Sequence, residues 1–155
     1  MTTEWTQYKP TSFEYNGKWI KNWFSNMEPC LIKIDGESYK SVENYYQSMK
    51  SLDPEMRKQI SDATPSASKQ IAKKIQLRSD WGEVKYDVMK KALRAKWSKP
   101  DYKDALLSTG DDMIIEWNNW SDRTWGVDIR NDKGLNLLGQ ALMEIRNELK
   151  LAENG

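Results

Sequence analysis

The sequence of 155 residues contains no histidine and a single cysteine, Cys30. The chain therefore cannot form a Ser-His-Asp triad, a Cys-His pair, a zinc cluster of cysteines and histidines, or an internal disulfide bond. Acid-base chemistry in this protein must use aspartate, glutamate, lysine or tyrosine.

Long apolar runs and a strong net charge are also missing. No stretch approaches the roughly 18 apolar residues of a membrane span, and the first residues lack the pattern of a secretory signal. The 24 basic residues nearly balance the 23 acidic ones, so overall charge does not favour nucleic acid or anionic membranes as partners. We expect a cytoplasmic protein that does not bind membranes.

Aromatic side chains are abundant, with eight tryptophans and seven tyrosines. The chain has the length of one compact domain, and these rings supply apolar surface for its core. Because helical signals outnumber strand signals, we predict a single-domain α+β fold that is mostly helical with a small β-hairpin or sheet.

Turn and capping residues divide the chain into elements. Asp35-Gly36 predicts a hairpin between Cys30–Ile34 and Glu37–Tyr39, because this pair accepts positive φ at both positions. N-caps at Ser41, Asp53, Thr64 and Asp80, with apolar periodicity, predict helices over 42–50, 54–62, 65–75, 81–97 and 101–108, and a last helix that Asn136 opens. The first thirty residues are predicted to be irregular and strand-like, 113–116 a short strand, and 117–134 a long loop.

The helix predicted after the hairpin carries the first candidate site. At about 100° per residue, Glu43, Gln47 and Lys50 fall within about 60° of one another and border the apolar face. Since helical side chains lean toward the N-terminus, Lys50 can reach back over Gln47. A carboxylate, an amide and an amine would then line a cleft of sugar size. Periodicity alone favours the plainer alternative, a partly solvated helix flank.

Two further segments are candidates for ligand binding. The 117–134 loop combines tryptophans with polar residues, and Trp125-Gly126 is its best candidate for a ligand site, since the indole could stack on a base and the glycine could let the backbone approach the ligand. Indoles can also serve to pin a loop. The segment 85–99 has six basic residues against one acidic residue. Its Arg94 and Lys96 could hold phosphate, whereas most charge runs on helices are simply solvated.

Several motifs, in order along the chain, resemble those of the NADAR family, also known as YbiA-like proteins. They extend from about Phe13 to Leu149 and comprise Phe24-Ser25-Asn26, Asp35-Gly36 with Tyr39, the run from Ser41 to Lys50, Met89 with Ala92 to Trp97, Leu106-Leu107 with Thr109 to Asp111, Trp125-Gly126, and Gly134 to Arg146. The resemblance implies one YbiA-like domain over 13–150, with an N-terminal extension over 1–12 and a C-terminal tail over 151–155.

The resemblance also implies an N-glycosidase that needs no metal or other cofactor. Relatives cleave the bond between the anomeric carbon of ribose and a nitrogen, either in phosphoribosylamino intermediates of the riboflavin pathway or in ADP-ribose attached to guanine in nucleic acid. The expected partner is therefore a ribosylated small molecule or ADP-ribosylated nucleic acid, with no obligate protein partner.

Carried over by position, Glu43 and Lys50 match the acidic and amine positions of the family motif. Glu43 is expected to act in acid-base catalysis or charge stabilisation, and Lys50 as a nucleophilic amine or as an electrostatic clamp. Asp128 is expected to act with them by binding ribose hydroxyls or water. The expected substrate-binding residues are Phe24, Ser25, Asn26, Tyr46, Gln47, Arg94, Lys96, Trp125, Gly126 and Asn136.

Two places depart from the family pattern. Asn44 stands where relatives often have histidine, and Asp128 to Arg130 stand where glycines are common. We expect these differences to affect the choice of substrate more than the type of reaction, since the pair Glu43 and Lys50 is intact.

Two other functions are open from the sequence. A module that binds ADP-ribose without turnover would keep the pocket, although recognition alone does not need a carboxylate and an amine on one stripe. A helix that binds nucleic acid would use the segment 85–99 and depend steeply on salt, which the near-zero net charge disfavours.

Overall fold

A computed structural model describes residues 14–154. They divide into two compact units: the helical unit, residues 20–102, and the terminal unit, residues 14–19 and 103–154. The predicted α+β class is confirmed, because helices dominate and the sheets are small. The predicted N-terminal extension lies outside the described residues.

The described chain contains six short strands and six α-helices. The strands are β1 (Glu14–Tyr15), β2 (Lys18–Trp19), β3 (Ile32–Ile34), β4 (Glu37–Tyr39), β5 (Trp117–Asn118) and β6 (Val127–Asp128). The helices are α1 (Val42–Ser48), α2 (Pro54–Asp62), α3 (Pro65–Ala72), α4 (Trp81–Trp97), α5 (Pro100–Ser108) and α6 (Leu137–Asn154). A short 3-10 helix covers Lys21–Phe24.

The predicted hairpin at Asp35-Gly36 is confirmed, with β3 and β4 antiparallel and Ile32 opposite Tyr39. Asp35 and Gly36 have φ angles of 52° and 84°, the two positive values that a type I′ turn requires. Asn16-Gly17 makes a similar turn between β1 and β2, with φ angles of 52° and 72°. Asn16-Gly17 is therefore a second hairpin signal in the sequence, which the prediction of an irregular, strand-like segment over the first thirty residues missed.

The ends of the helices mostly follow the predicted caps. Ser41, Asp53 and Thr64 are confirmed as N-caps, because each side chain accepts a hydrogen bond from a backbone N–H of the first turn. Asp80 occupies the predicted N-cap position of α4, but its side chain makes no cap hydrogen bond, since its carboxylate pairs with Arg78 at 2.6 Å. Helix α3 ends at residue 72 and is shorter than predicted.

Helix α1 lies at the centre of the helical unit. All of its residues are buried, and it contacts α2, α3 and α4, while β3 packs on α4. The apolar core around it includes Ile32, Ile34, Val42, Tyr45, Ile60, Ala72, Met89, Leu93 and Trp97. Four residues of α1 are nonetheless polar: Glu43, Asn44, Gln47 and Ser48. Buried polar groups need hydrogen-bond partners, so the contacts of these side chains are informative.

The strand predicted over 113–116 in the terminal unit is wrong, and so is the continuous loop over 117–134. The chain instead pairs β5 with β6 in parallel, with Trp117 opposite Val127. Each strand has only two residues, so alternation along the sequence could not reveal the pairing. The last helix, α6, buries Leu138, Ala141, Leu142 and Ile145, which are part of its predicted apolar face.

Candidate active site

Glu43 and Gln47 lie one turn apart on a buried face of α1. Gln47 Nε2 donates a 2.8 Å hydrogen bond to Glu43 Oε2. Glu43 is 8% exposed and Gln47 is 3% exposed, so the alternative of a solvated helix flank is wrong. The amide fixes the orientation of the carboxylate, which is what a general acid or base requires.

Lys50 follows the end of α1 and is half-buried. Its Nζ lies 5.3 Å from the centroid of the Tyr46 ring and 5.9 Å from that of the Trp81 ring. Burial lowers the pKa of the Lys50 ammonium, the Glu43 carboxylate opposes this effect, and three nearby lysines reinforce it. Lys50 therefore reaches its uncharged, nucleophilic form more readily than an exposed lysine does.

Arg78 and Trp81 belong to this site, although the sequence did not single them out for it. The backbone N–H of Arg78 donates to the carbonyl of Lys50 at 2.9 Å, and its guanidinium reaches the carbonyl of Met49 at 3.4 Å. The ring of Trp81 lies 5.1 Å from that of Tyr46. In the sequence, Trp81 is only the first residue of the helix predicted over 81–97, and no local pattern links Arg78 to the end of α1.

Asn44 is turned toward α2. Its Nδ2 donates to the carbonyl of Ala63 at 2.8 Å, and its Oδ1 accepts a 2.7 Å hydrogen bond from the hydroxyl of Ser41. The Asn44 amide therefore supplies a hydrogen-bond donor to a backbone carbonyl at the C-terminal end of α2. This departure from the family pattern concerns the packing of α1 on α2, and the expectation that it affects substrate choice is not supported by the contacts of Asn44.

The backbone of the Phe24-Ser25-Asn26 motif holds the start of α1. The N–H of Glu43 donates to the carbonyl of Asn26 at 3.0 Å, and Lys96 Nζ donates to the carbonyl of Ser25 at 3.1 Å. Three of the motifs, far apart in the sequence, therefore meet beside the candidate catalytic carboxylate.

The side chains of this motif mostly take part in packing. The ring of Phe24 lies 4.8 Å from that of Trp97, and Asn26 Nδ2 lies 3.6 Å from the sulfur of Met89. Ser25 is exposed, and its hydroxyl accepts a hydrogen bond from the backbone N–H of Met27. Of the three predicted substrate-binding residues, Ser25 is the most accessible.

Arg94 and Lys96 are not brought together as a phosphate site. Lys96 is 1% exposed, and its Nζ lies 3.3 Å from Glu28 Oε1 and 5.4 Å from the centroid of the Tyr102 ring. Arg94 is exposed, as expected from the roughly 200° that separates the two positions around α4. The ammonium of Lys96 is thus occupied by protein groups, which sequence spacing did not reveal.

The Trp125-Gly126 pair lies in the terminal unit. A Cβ at residue 126 would lie only 2.2 Å from the carbonyl oxygen of Glu116. Glycine is therefore required here by the packing of the backbone, whereas the sequence suggested that it admits a ligand. Trp125 is half-buried, and its backbone N–H donates to the carboxylate of Asp122 at 2.9 Å.

Asp128 is fully buried, with a side-chain exposure of 0%. Its two carboxylate oxygens accept hydrogen bonds from Arg130, both at 3.0 Å, and Arg123 Nη2 lies 3.4 Å away. The hydrogen bonds from Arg130 hold the pKa of the Asp128 carboxyl well below its usual range. Asp128 is therefore an ionised acceptor at neutral pH and cannot serve as a proton donor.

Asn136 opens α6 with a φ angle of 55°. It is 0% exposed, its Oδ1 accepts from the N–H of Glu116 at 2.9 Å, and its Nδ2 donates to the carbonyl of Ile114 at 2.9 Å. Both polar atoms of the Asn136 side chain are thus hydrogen-bonded to backbone groups. Asn136 fixes the segment 114–116 against the start of α6, a different task from the predicted contact with substrate.

Metal-binding clusters and membrane-spanning helices are both absent from the part of the chain that the structure describes. Within residues 14–154, no three aspartate, glutamate or cysteine side chains are grouped so that they could hold a metal ion. None of the helices in this part of the chain is long and apolar enough to cross a membrane.

The chain matches the family model of the NADAR domain over residues 6–150. It therefore belongs to the NADAR family, and the resemblance inferred from its motifs is confirmed. The match also covers both units of the described chain.

Relatives with known names agree with this assignment. The chain is 36% identical over 132 residues to the N-glycosidase YbiA of Escherichia coli. This alignment covers 83% of this chain and 81% of the Escherichia coli protein. It is 37% identical over 134 residues to an N-glycosidase of Nostoc punctiforme, covering 82% and 85% of the two chains. A riboflavin biosynthesis protein of Vibrio vulnificus is 32% identical over 130 residues, which cover 81% of this chain and 35% of that protein.

The fold agrees with the same relatives. The NMR structure of Escherichia coli YbiA matches with a TM-score of 0.80 at 31% identity, and covers 95% of this chain and 90% of that one. The protein thus has the YbiA-like α+β fold and is an N-glycosyl hydrolase by family.

Proposed function

We propose that this protein hydrolyses the C1′–N bond of a phosphoribosylamino compound, with Glu43 and Lys50 as its catalytic residues. The observation that carries the proposal is the buried pair Glu43 and Gln47 on α1, with a lysine of lowered pKa at the end of the same helix. A buried carboxylate held by an amide, beside an amine that can lose its proton, is suited to chemistry more than to binding alone.

The reaction needs charge compensation at two atoms. As the C1′–N bond breaks, its electron pair goes to the departing nitrogen and positive charge develops at C1′. The Glu43 carboxylate stabilises that charge, takes a proton from the water that adds to C1′ and passes it to the departing nitrogen. Glu43 is thereby returned to its starting state, and the products are the free base and the sugar.

Lys50 gives the reaction a covalent route. The lone pair of its uncharged Nζ forms a bond to C1′, and the base leaves with the electron pair of the C1′–N bond and takes a proton from Nζ. The C1′–O4′ bond then breaks, its electron pair goes to O4′ together with the second proton of Nζ, and the ring-opened ribose remains as a Schiff base. Water then hydrolyses the Schiff base, which releases the sugar and restores the amine. The half-buried position of Lys50, which lowers the pKa of its ammonium, supports this role.

In the terminal unit, the family motif alone assigns Trp125 to stacking on the base, a role that the flat ring of an indole can serve. Asp128 is fully buried and accepts from Arg130 at both carboxylate oxygens, so we assign it no contact with substrate and no role in donating protons.

The name of the Vibrio vulnificus relative favours a small phosphoribosyl metabolite as the substrate. ADP-ribose on guanine in nucleic acid presents the same C1′–N bond and is the second candidate from the sequence motifs. Both would use Glu43 and Lys50 in the same way, so the site itself does not depend on which base leaves.

A panel of substrates tests the proposal. The protein is incubated with a phosphoribosylaminopyrimidine of the riboflavin pathway and with an oligonucleotide that carries ADP-ribosylated guanine, and mass spectrometry records release of the base. We expect release from the phosphoribosylaminopyrimidine. Release from the oligonucleotide alone would overturn the proposed substrate class, and calorimetric binding of ADP-ribose without release from either compound would favour a binding module.

A further inference from the structure

The amide of Gln47 has one atom that the protein does not use. Its Nε2 donates to Glu43 Oε2 at 2.8 Å, whereas no group among the described residues donates to its buried Oε1. The residue is 3% exposed. Leaving a buried acceptor without a donor costs free energy, and such an atom at a candidate active site points to a ligand that supplies the donor.

The orientation of this amide is set by its neighbour. Exchanging the positions of the oxygen and nitrogen would bring Gln47 Oε1 against Glu43 Oε2, and two acceptors do not bond to each other. The nitrogen therefore faces the carboxylate, and the oxygen is left for a group outside the protein. That group must carry an O–H or N–H, because a carbonyl oxygen can only accept.

We infer that Gln47 Oε1 accepts a hydrogen bond from the 2-hydroxyl of the bound sugar, and that Gln47 thereby selects ribose over 2-deoxyribose. The inference rests on the proposed function, which places the anomeric carbon next to Glu43. The planar amide of Gln47 has its nitrogen on the Glu43 carboxylate and its oxygen on the ligand. The ligand group that donates to this oxygen must therefore lie close to the anomeric carbon. The 2-hydroxyl is borne by the adjacent carbon, and hydrogen bonds to this hydroxyl strengthen in transition states of this kind.

The test compares two sugars on the same protein. Binding of ribose 5-phosphate and of 2-deoxyribose 5-phosphate is measured by calorimetry for the wild type, for Gln47→Met and for the exposed control Gln59→Met. Methionine is unbranched, as glutamine is, but lacks both the amide oxygen and the amide nitrogen that donates to Glu43. A ratio of two affinities on one variant is insensitive to partial loss of folded protein.

We expect the wild type and Gln59→Met to prefer the ribose compound by about 10-fold or more, since a site that binds a hydroxyl discriminates against the analogue without it. In Gln47→Met the preference should fall to about 1. Glu43→Gln, in which Gln47 keeps its Oε1 and can still donate from Nε2 to the new amide oxygen, should retain the preference. An undiminished preference in Gln47→Met would overturn the inference, as would a wild type that shows no preference.

The two proposals fail in different ways. If the wild type releases the base from the phosphoribosylaminopyrimidine but Gln47→Met keeps the full preference for ribose, the inference about Gln47 is wrong and the proposed function stands. If no compound of the panel loses its base and ribose 5-phosphate does not bind, both are wrong.

Discussion

The backbone N–H of Glu43 donates a 3.0 Å hydrogen bond to the carbonyl of Asn26. The preceding carbonyl, that of Ser25, accepts from the ammonium of Lys96, which also pairs with Glu28. The first turn of α1 therefore rests on a loop that a buried ion pair holds in place. The position of the candidate catalytic carboxylate depends on residues that lie far from it in the sequence.

Replacing Lys96 with methionine should destabilise the helical unit. Lys96 is 1% exposed, and its removal leaves the Glu28 carboxylate, 17% exposed, without its cation. Removing one partner of a buried ion pair costs about 3–5 kcal/mol. Urea unfolding measures the loss, with Lys33→Met on the exposed side of β3 as the control. Equal stability of the two variants would refute the role of this pair.

The pH dependence of the rate tests the nucleophilic role of Lys50. Burial lowers the pKa of its ammonium below the ordinary 10.5, so the rate should rise with pH and level off below that value. Lys50→Arg should be nearly inactive, because a guanidinium does not lose its proton. Lys69→Arg, at an exposed neighbouring position, should keep the wild-type profile.

Borohydride provides a direct check on the same residue. Reduction of a Schiff base would leave the sugar bound to Lys50, and peptide mass spectrometry would locate the adduct. If Lys50→Arg retains most of the activity and no adduct forms, Lys50 acts only as an electrostatic clamp.

Asp128→Asn should alter stability in a way that depends on pH. Hydrogen bonds from Arg130 lower the pKa of Asp128 in the folded protein. The unfolded state therefore binds a proton first as the pH falls, and the stabilisation, which is complete above about pH 5, is lost progressively at lower pH. Thermal unfolding should show the variant less stable than the wild type at pH 7, with a difference that narrows below about pH 5. The exposed control Asp104→Asn should show neither effect.

Two glycines should respond to alanine in opposite ways. A Cβ at residue 126 would lie 2.2 Å from a backbone oxygen, so Gly126→Ala should be strongly destabilising. Gly82 lies within α4, where a Cβ meets nothing within 4 Å, and Gly82→Ala should stabilise by about 0.4–1 kcal/mol. Thermal unfolding of the two variants measures both effects. A tolerated alanine at 126 would show that the backbone there is not tightly packed.

Local signals predicted a large part of the fold. The hairpin at Asp35-Gly36, the cap at Ser41 and the ends of α4 each depend on residues next to one another in the chain, and all three are confirmed. The contact between Glu43 and Gln47 also follows from helical spacing alone. These features need no knowledge of how distant segments pack.

The features that were missed depend on distant segments. The hydrogen bond from Lys96 to Ser25 joins residues 71 positions apart, and the spacing of Arg94 and Lys96 on α4 gave no sign of it. Gly126 was interpreted as a place for ligand approach, because the nearby carbonyl of Glu116 cannot be inferred from the sequence. Contacts of this kind are decided by tertiary packing, which overrides local preference.

The measurement that tests the central claim most directly is the rate of base release by Glu43→Gln. Gln47 Nε2 can still donate to the new amide oxygen, so the variant should unfold at the same urea concentration as the wild type. Its kcat should fall about 100- to 10,000-fold, the usual contribution of a general acid or base, whereas the exposed control Glu55→Gln should keep the wild-type rate. A folded Glu43→Gln protein with wild-type kcat would contradict the account.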